Sequence, residues 1–311
     1  MPILHLVKDD TNINFMSART IAFVFSVFLM LGSIFAIVTS SLNFGIDFTG
    51  GTLVEVKTDG PADIADLRER FSGLELGSVN IQEFGAEDEV LIRIPEQDNA
   101  EEEGQSTLMD TVRGAIDDVV VDYRRVEYVG PQVGAELIQK GFQAVIFSLL
   151  GIMLYIWIRF EWPFGVAAVA ALIHDTVITM GFFAVTQIEF GLSTVAAVLM
   201  IAGYSINDTV VVFDRVRENL RKFKRQPLIE LFNNAINQML ARTLMTSLTT
   251  LLALFALWFF GGEVIRSFVI TLIFGVVVGT YSSNYIATPL LLYIRPDILR
   301  PDLEKVEAAA A

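Results

Sequence analysis

Six long apolar stretches run along the chain, and their spacing is uneven. The first, residues 21–41, includes Ile21–Thr39 without one charged side chain. A helix of about 20 apolar residues crosses a bilayer core. No comparable run follows until residues 141–158, after which 163–188, 190–213, 243–260 and 267–294 come in close succession. The first run is longer than the core of a secretory signal and lacks a small-x-small cleavage site behind it, so it is expected to stay as an anchor. Gln187 and Glu189 mark a very short connection between the third and fourth spans. In the last span Asn284 and Pro289 interrupt the apolar pattern.

The interval 42–138 has a different rhythm. GGTLVEVKT reads as a strand entered at Gly50 and Gly51, and ADIADLRERF carries Ile64, Leu67 and Phe71 at helical spacing. SVNIQEFG and DEVLIRIP read as two more strands. An acidic loop over 97–105 precedes a helix in STLMDTVRGAIDDVV, and YRRVEYVG closes the series as a fourth strand. The order β-α-β-β-α-β predicts a ferredoxin-like α+β domain with its helices on one face of one sheet. Such a fold specifies no function by itself.

Charge then orients the spans. The 311 residues carry a formal charge of −14, yet residues 42–138 alone hold 22 Asp and Glu against 7 Lys and Arg, a net of −15. The rest is nearly neutral, and its bases gather in particular places. Arg19, Arg159, the group Arg215, Arg217, Arg221, Lys222, Lys224 and Arg225, and then Arg295 and Arg300 all fall on one side of a six-span arrangement. The positive-inside rule makes that side cytoplasmic. The segment 1–20, the basic loop 214–239 and the tail 295–311 are therefore expected inside the cell, with the acidic domain 42–138 outside. The loop 214–239 interleaves bases with Val216, Leu220, Leu228 and Leu231, which suits a helix lying on the inner membrane surface or a docking segment. Trp157, Trp162 and Trp258 stand near span ends, where indole rings anchor at the headgroups.

The acidity disfavours nucleic acid as a partner. With no cysteine, thiolate chemistry and cysteine metal sites are excluded. The run Glu101, Glu102, Glu103 lacks the alternating spacing of a calcium loop and reads as a solvated acidic stretch. No cofactor, metal or enzymatic constellation is expected.

The informative departures from an apolar bundle are few. His174 and Asp175 sit inside the third span. Gly203, Asn207 and Asp208 lie in the fourth, with Asp214 and Arg215 further toward the cytoplasm. Arg242 opens the fifth, followed by a polar surface of Thr246, Ser247, Thr249 and Thr250. Ionisable groups in hydrocarbon are costly and normally pair or work. Asp208 and Arg242 fall at matching depth, so an Asp–Arg pair would relieve both, either as a static brace or as part of a proton relay. Adjacent residues on a helix do not face one another, so His174 and Asp175 are expected to meet other helices and not each other. Small residues in spans three, four and six, among them Gly165, Gly203, Gly275 and Gly279, suit close helix packing.

Several of these stretches carry a resemblance. FGIDFTGG (44–51), VEYVGPQVG (126–134), ALIHDTVIT (171–179), GYSINDTVVVFDRVREN (203–219) and ARTLMTSLTTLL (241–252) are similar to motifs of the SecF family of bacterial protein-export membrane subunits. The resemblance covers the chain from about residue 14 to 296. It implies one half of a twelve-span assembly of the resistance–nodulation–division type, completed by SecD. It also implies association with the SecYEG channel and with YajC- and YidC-type accessory subunits in the bacterial inner membrane. The work implied is late-stage translocation and release of unfolded polypeptides driven by the proton-motive force. On that resemblance Asp208 and Arg242 fall on a proton-coupling aspartate and its companion arginine, and Asp175 on a third-span motif. Gly50, Gly51, Gly130, Pro131 and Gly134 fit hinge or packing roles, and Gly203, Asn207, Asp214 and Arg215 belong to the fourth-span motif. The residues alone leave two alternatives open: a passive scaffold for the channel, or half of a small-molecule transporter.

Overall fold

The computed structural model describes residues 11–294, apart from residue 75 and residues 97–101. Six of its helices are long and apolar enough to cross a bilayer. The chain is a polytopic helical membrane protein with an α+β domain between its first two spans.

Helix α1 (Arg19–Ser40) leads into a one-turn helix α2 (Ile46–Thr49), which the sequence pattern did not suggest. The domain follows as β1 (Gly51–Thr58), α3 (Ile64–Ser72), β2 (Asn80–Phe84), β3 (Ala86–Ile94), α4 (Glu102–Ile116) and β4 (Val120–Val129). The strands form one antiparallel sheet in the order β2-β3-β1-β4. Period-two alternation sends Val54, Val56, Val90, Ile92 and Ile94 to one face, where Leu67 and Phe71 of α3 and Val112 and Ile116 of α4 seal the core. The opposite face presents Leu53, Leu91 and Arg93 toward α2 and the membrane helices. Helix α4 begins at Glu102, so residues 102–105 are helical and not loop as expected. Residue 101 of the acidic run lies outside the described residues.

Two features fix the domain locally. Gly51 has φ 109°, and a Cβ there would strike the Ile94 carbonyl and stand 3.2 Å from the Glu96 amide. Only glycine fits that crossing of β1 over β3. Gly51→Ala is expected to cost the domain about 1–3 kcal/mol, read as faster proteolysis of the intact chain. On the surface, Arg70 of α3 bridges Asp66 at 2.7 Å and Asp118 at 2.5 Å. Arg70 holds the Asp118 carboxyl below its ordinary 3.8, and Lys57 does the same to Asp88. A carboxyl depressed in the folded state stabilises above its unfolded value and loses that contribution as pH falls through the folded one. Asp118→Asn should therefore flatten the loss of thermal stability seen as pH falls from about 5 toward 2.

The bundle comprises α1, α5 (Pro131–Arg159), α6 (Trp162–Thr186), α7 (Leu192–Lys222), α8 (Leu228–Phe260), α9 (Arg266–Ser282) and α10 (Thr288–Ile294). Helix α5 starts ten residues before the apolar run expected at 141, because Pro131 is preset for a first helical turn. Helices α9 and α10 are joined through a π-turn at Ser283–Ala287, upstream of Pro289. The basic segment 214–239 is not a loop. It is the end of α7, a short link, and the start of α8. Val212, Phe213 and Val216 of α7 pack with Leu231, Phe232, Ala235 and Ile236 of α8, and with Phe15 and Met16. The bases occupy the outward side of that hairpin, so the apolar spacing, not the charge, decides the structure.

Helix α1 packs on α6 at Gly181, where any Cβ would collide with Ser33. The Gly275–Gly279 pair of α9 receives Ile201 and Ser205 of α7, so this spacing serves packing within the chain. Gly203 differs from the expectation. A Cβ there would meet nothing within 4 Å, and the residue is exposed.

Candidate functional site

Asp175 is the hub of a buried polar cluster. It is 1% exposed, and its Oδ2 accepts hydrogen bonds from Ser205 Oγ of α7 at 2.5 Å and Ser282 Oγ of α9 at 2.7 Å. His174 Nδ1 lies 2.9 Å from Asp175 Oδ1. This corrects the expectation that the neighbours would not pair. Their Cβ directions diverge on the helix, but both side chains are long enough to turn back within a layer buried from solvent, where a polar group needs a partner. The Tyr281 ring lies beside His174, and its hydroxyl reaches Ser26 Oγ at 3.1 Å and the Ala22 carbonyl at 3.1 Å. One carboxylate thus ties α6, α7 and α9, with α1 joined through Tyr281. The double variant Ser205→Ala with Ser282→Ala removes both hydroxyl donors. An intramolecular hydrogen bond contributes about 0.5–1.5 kcal/mol net, so a drop in melting temperature in detergent is expected.

A second polar layer lies across α7, α8 and α9. Tyr204 Oη donates to Ser247 Oγ at 3.2 Å, and Ser247 Oγ meets Thr280 Oγ1 at 2.7 Å. Helices α7 and α8 are consecutive and antiparallel. One turn beyond Tyr204 is Asp208, and one turn before Ser247 is Thr243. Both are buried. Asp208 Oδ2 and Thr243 Oγ1 lack a hydrogen-bond partner among the described residues. From Thr280 of α9 the same step leads to Asn284 in the π-turn, whose Nδ2 donates to the Thr280 carbonyl at 2.9 Å. Asp208 is also one turn from Ser205 along α7, so it borders the Asp175 cluster as well.

Arg242 lies near enough to Asp208 for its charge to act on that carboxyl, but the two do not form a close ion pair. No ion pair within 4.0 Å links them among the described residues, and Arg242 is exposed. The inward line of α8 is Leu240, Thr243 and Ser247. Arg242 precedes Thr243 by one helical step of about 100° and so points off that face. Asn207 is likewise exposed on α7. Asp214 and Arg215 stand apart from Asp208. Asp214 pairs with Arg159 and Arg217, each at 3.2 Å, and Arg215 pairs with Glu218 and Gln238, each at 2.6 Å.

Near the domain, Gly50 and Gly51 carry the chain from α2 into β1, and Gly130 is the N-cap position of α5. At Gly134 a Cβ would come within 3.3 Å of the Phe48 carbonyl, so glycine lets α5 approach α2. Among the described residues, no group of His, Cys, Asp or Glu is placed to hold a metal. Sequence reasoning missed Ser205, Ser282 and Tyr281, which are ordinary in composition and gain meaning only from Asp175.

Comparison with known proteins is consistent along the chain. Residues 110–297 match the family model for the protein export membrane protein SecD/SecF, C-terminal, and residues 35–62 match the SecD/SecF GG motif. The protein translocase subunit SecF of Rickettsia rickettsii is 44% identical over 93% of this chain and 94% of its own length. The SecF subunit of Magnetococcus marinus is 48% identical over 92% and 93%. Among solved structures, the Thermus SecDF, a translocon-associated membrane protein, superposes with a TM-score of 0.83 at 35% identity. That match covers 91% of this chain but 39% of the SecDF chain. SecDF in a super-membrane-facing form gives a TM-score of 0.68 at 33% identity.

Proposed function

Because the chain belongs to the SecD/SecF family of protein-export membrane proteins, as its SecF subunit, we propose that it is one half of a proton-driven machine, completed by SecD. The SecF subunit serves Sec-dependent protein translocation with SecD and is a transport subunit, not an enzyme. The finer reading is that it draws on the proton-motive force to advance and release unfolded polypeptides late in translocation. The observation that carries this reading is Asp208, a buried carboxylate with an unpartnered oxygen between two polar layers. Intramembrane carboxylates of this kind mark ion pathways. A proton arriving at or leaving Asp208 changes its interaction with α8 and α9, and so changes how those helices sit against α7. In this reading Asp175 is the fixed point and Asp208 the variable one.

Asn207 and Arg242 support the second half of the proposal. Both are polar, both lie in spans, and both face out of the six-helix bundle. Lipid is a poor neighbour for such groups, whereas a partner subunit can satisfy them. We assign that surface to SecD, with Arg242 meeting a carboxylate or polar group of the partner. SecYEG, and YajC- and YidC-type subunits, would join the assembly beyond SecD. The domain takes a ferredoxin-like arrangement and lies on the periplasmic side of the inner membrane, both chain termini being cytoplasmic by the distribution of bases. Isolation of the chain in mild detergent should recover SecD, and Arg242→Leu with Asn207→Leu should reduce that recovery several-fold. Undiminished recovery of SecD would remove this surface from the proposal. A proton-flux measurement with Asp208→Asn separates the machine from a passive scaffold, which would show no difference.

A further inference from the structure

The turn between α6 and α7 is tied to the soluble domain and its connector by three sets of contacts. The first is backbone. The Gly45 amide donates to the Phe190 carbonyl at 3.0 Å, and the Phe190 amide donates to the Asn43 carbonyl at 2.8 Å. The second uses helix ends. Ser41 ends α1 with φ 57°, and Gln187 ends α6 with φ 55°, both unusual for residues other than glycine. They hold each other: Gln187 Nε2 donates to the Ser41 carbonyl at 3.2 Å, and Asn43 Nδ2 donates to the Gln187 carbonyl at 2.8 Å. Asp47 Oδ2 accepts from the Leu192 amide at 2.7 Å. Gly191, at the N-cap position of α7, has no side chain to cap with, so Asp47 supplies the cap from across the chain. The third set reaches the sheet. Arg93 of β3 donates to Asn43 Oδ1 at 3.1 Å and to Glu189 Oε2 at 2.5 Å, with side chains 10% and 25% exposed for Arg93 and Glu189.

The position of this turn gives the contacts their meaning. It joins α6, which carries Asp175, to α7, which carries Ser205 and Asp208. Arg93 is on an interior strand, so it grips the sheet away from either edge. Beside the grip, a cleft of about 90 Å³ opens between the sheet and the bundle, lined in part by Leu91, Arg125, Glu127, Glu189 and Ser267. The domain is thus held at the turn and left unfilled beside it.

We propose that Arg93, Glu189 and Asp47 are positioning residues of a strap through which movement of α6 and α7 sets the orientation of the soluble domain. The inference rests on the proposed function, in which a proton at Asp208 changes how α7 sits against its neighbours, and it adds that the domain follows that change. The absence of cysteine permits a direct test. Spin labels at Ser72→Cys on the domain and Val264→Cys on the α8–α9 turn, in the chain assembled with SecD in membranes, report the distance between domain and bundle. The parent should give a narrow distribution. Arg93→Ala, Glu189→Ala and the milder Glu189→Gln should each broaden it and lower export stimulation at least threefold. The exchange Arg93→Glu with Glu189→Arg should restore both. Unchanged distributions in the single variants would overturn the proposal, and so would broadened distributions with export intact. The distances are read without a proton gradient, so this result stands apart from the gradient dependence that tests Asp208.

Discussion

Asp175→Ala is expected to lose about 3–5 kcal/mol of stability and nearly all export function. Its carboxylate is the common acceptor for Ser205 and Ser282 and the neighbour of His174, all within a layer closed to solvent. Removing it strands the Ser205 hydroxyl at about 1–3 kcal/mol, leaves Ser282 with the Gly279 carbonyl alone at 3.2 Å, and opens a cavity where α6, α7 and α9 meet. Asp175→Asn keeps the volume and one carbonyl oxygen, so it should cost clearly less. The check is thermal unfolding in detergent beside export in vesicles. If Asp175→Ala melts with the parent, the cluster does not hold the bundle.

Asp208→Asn should behave in the opposite way. Nothing among the described residues hydrogen-bonds Asp208 Oδ2, so replacing the carboxyl group breaks no bond to that oxygen and removes an ionisable group from a buried position. Its melting temperature should equal or exceed the parent's, while gradient-dependent export falls at least tenfold. Stability and function therefore part at Asp208 and fall together at Asp175. That contrast separates a group that works from a group that braces, although both are aspartates inside spans.

The sequence exposes the six spans because a bilayer imposes a length that apolar runs must meet. It exposes the domain because period-two strands and capped helices are local patterns. Residue 214 onward looks like a loop because its bases are conspicuous, yet Val212, Val216 and Leu231 carry the spacing of a packed hairpin. Asp175 and Asp208 stood out as charges in hydrocarbon, but their different surroundings did not. Ser205 and Ser282 lie 30 and 107 residues from Asp175, and serine in a span is unremarkable until a carboxylate faces it. Arg242 and Asp208 matched in depth, but depth is one coordinate. The rotation of α8, set by Thr243 and Ser247 against its neighbours, leaves Arg242 exposed and short of an ion pair with Asp208, though near enough for its charge to act there. The Arg93–Glu189 contact spans 96 residues and two structural units, beyond any local pattern.

The central claim is that Asp208 couples the proton gradient to export. The direct measurement is translocation of a preprotein into inverted membrane vesicles carrying this chain with SecD, after the ATP-driven stage, with the gradient intact or collapsed by an ionophore. The parent should export several-fold faster with the gradient. Asp208→Asn, at equal abundance, should run at the collapsed rate under both conditions. If Asp208→Asn keeps the full gradient-dependent stimulation, the coupling does not pass through this carboxylate and the account is wrong.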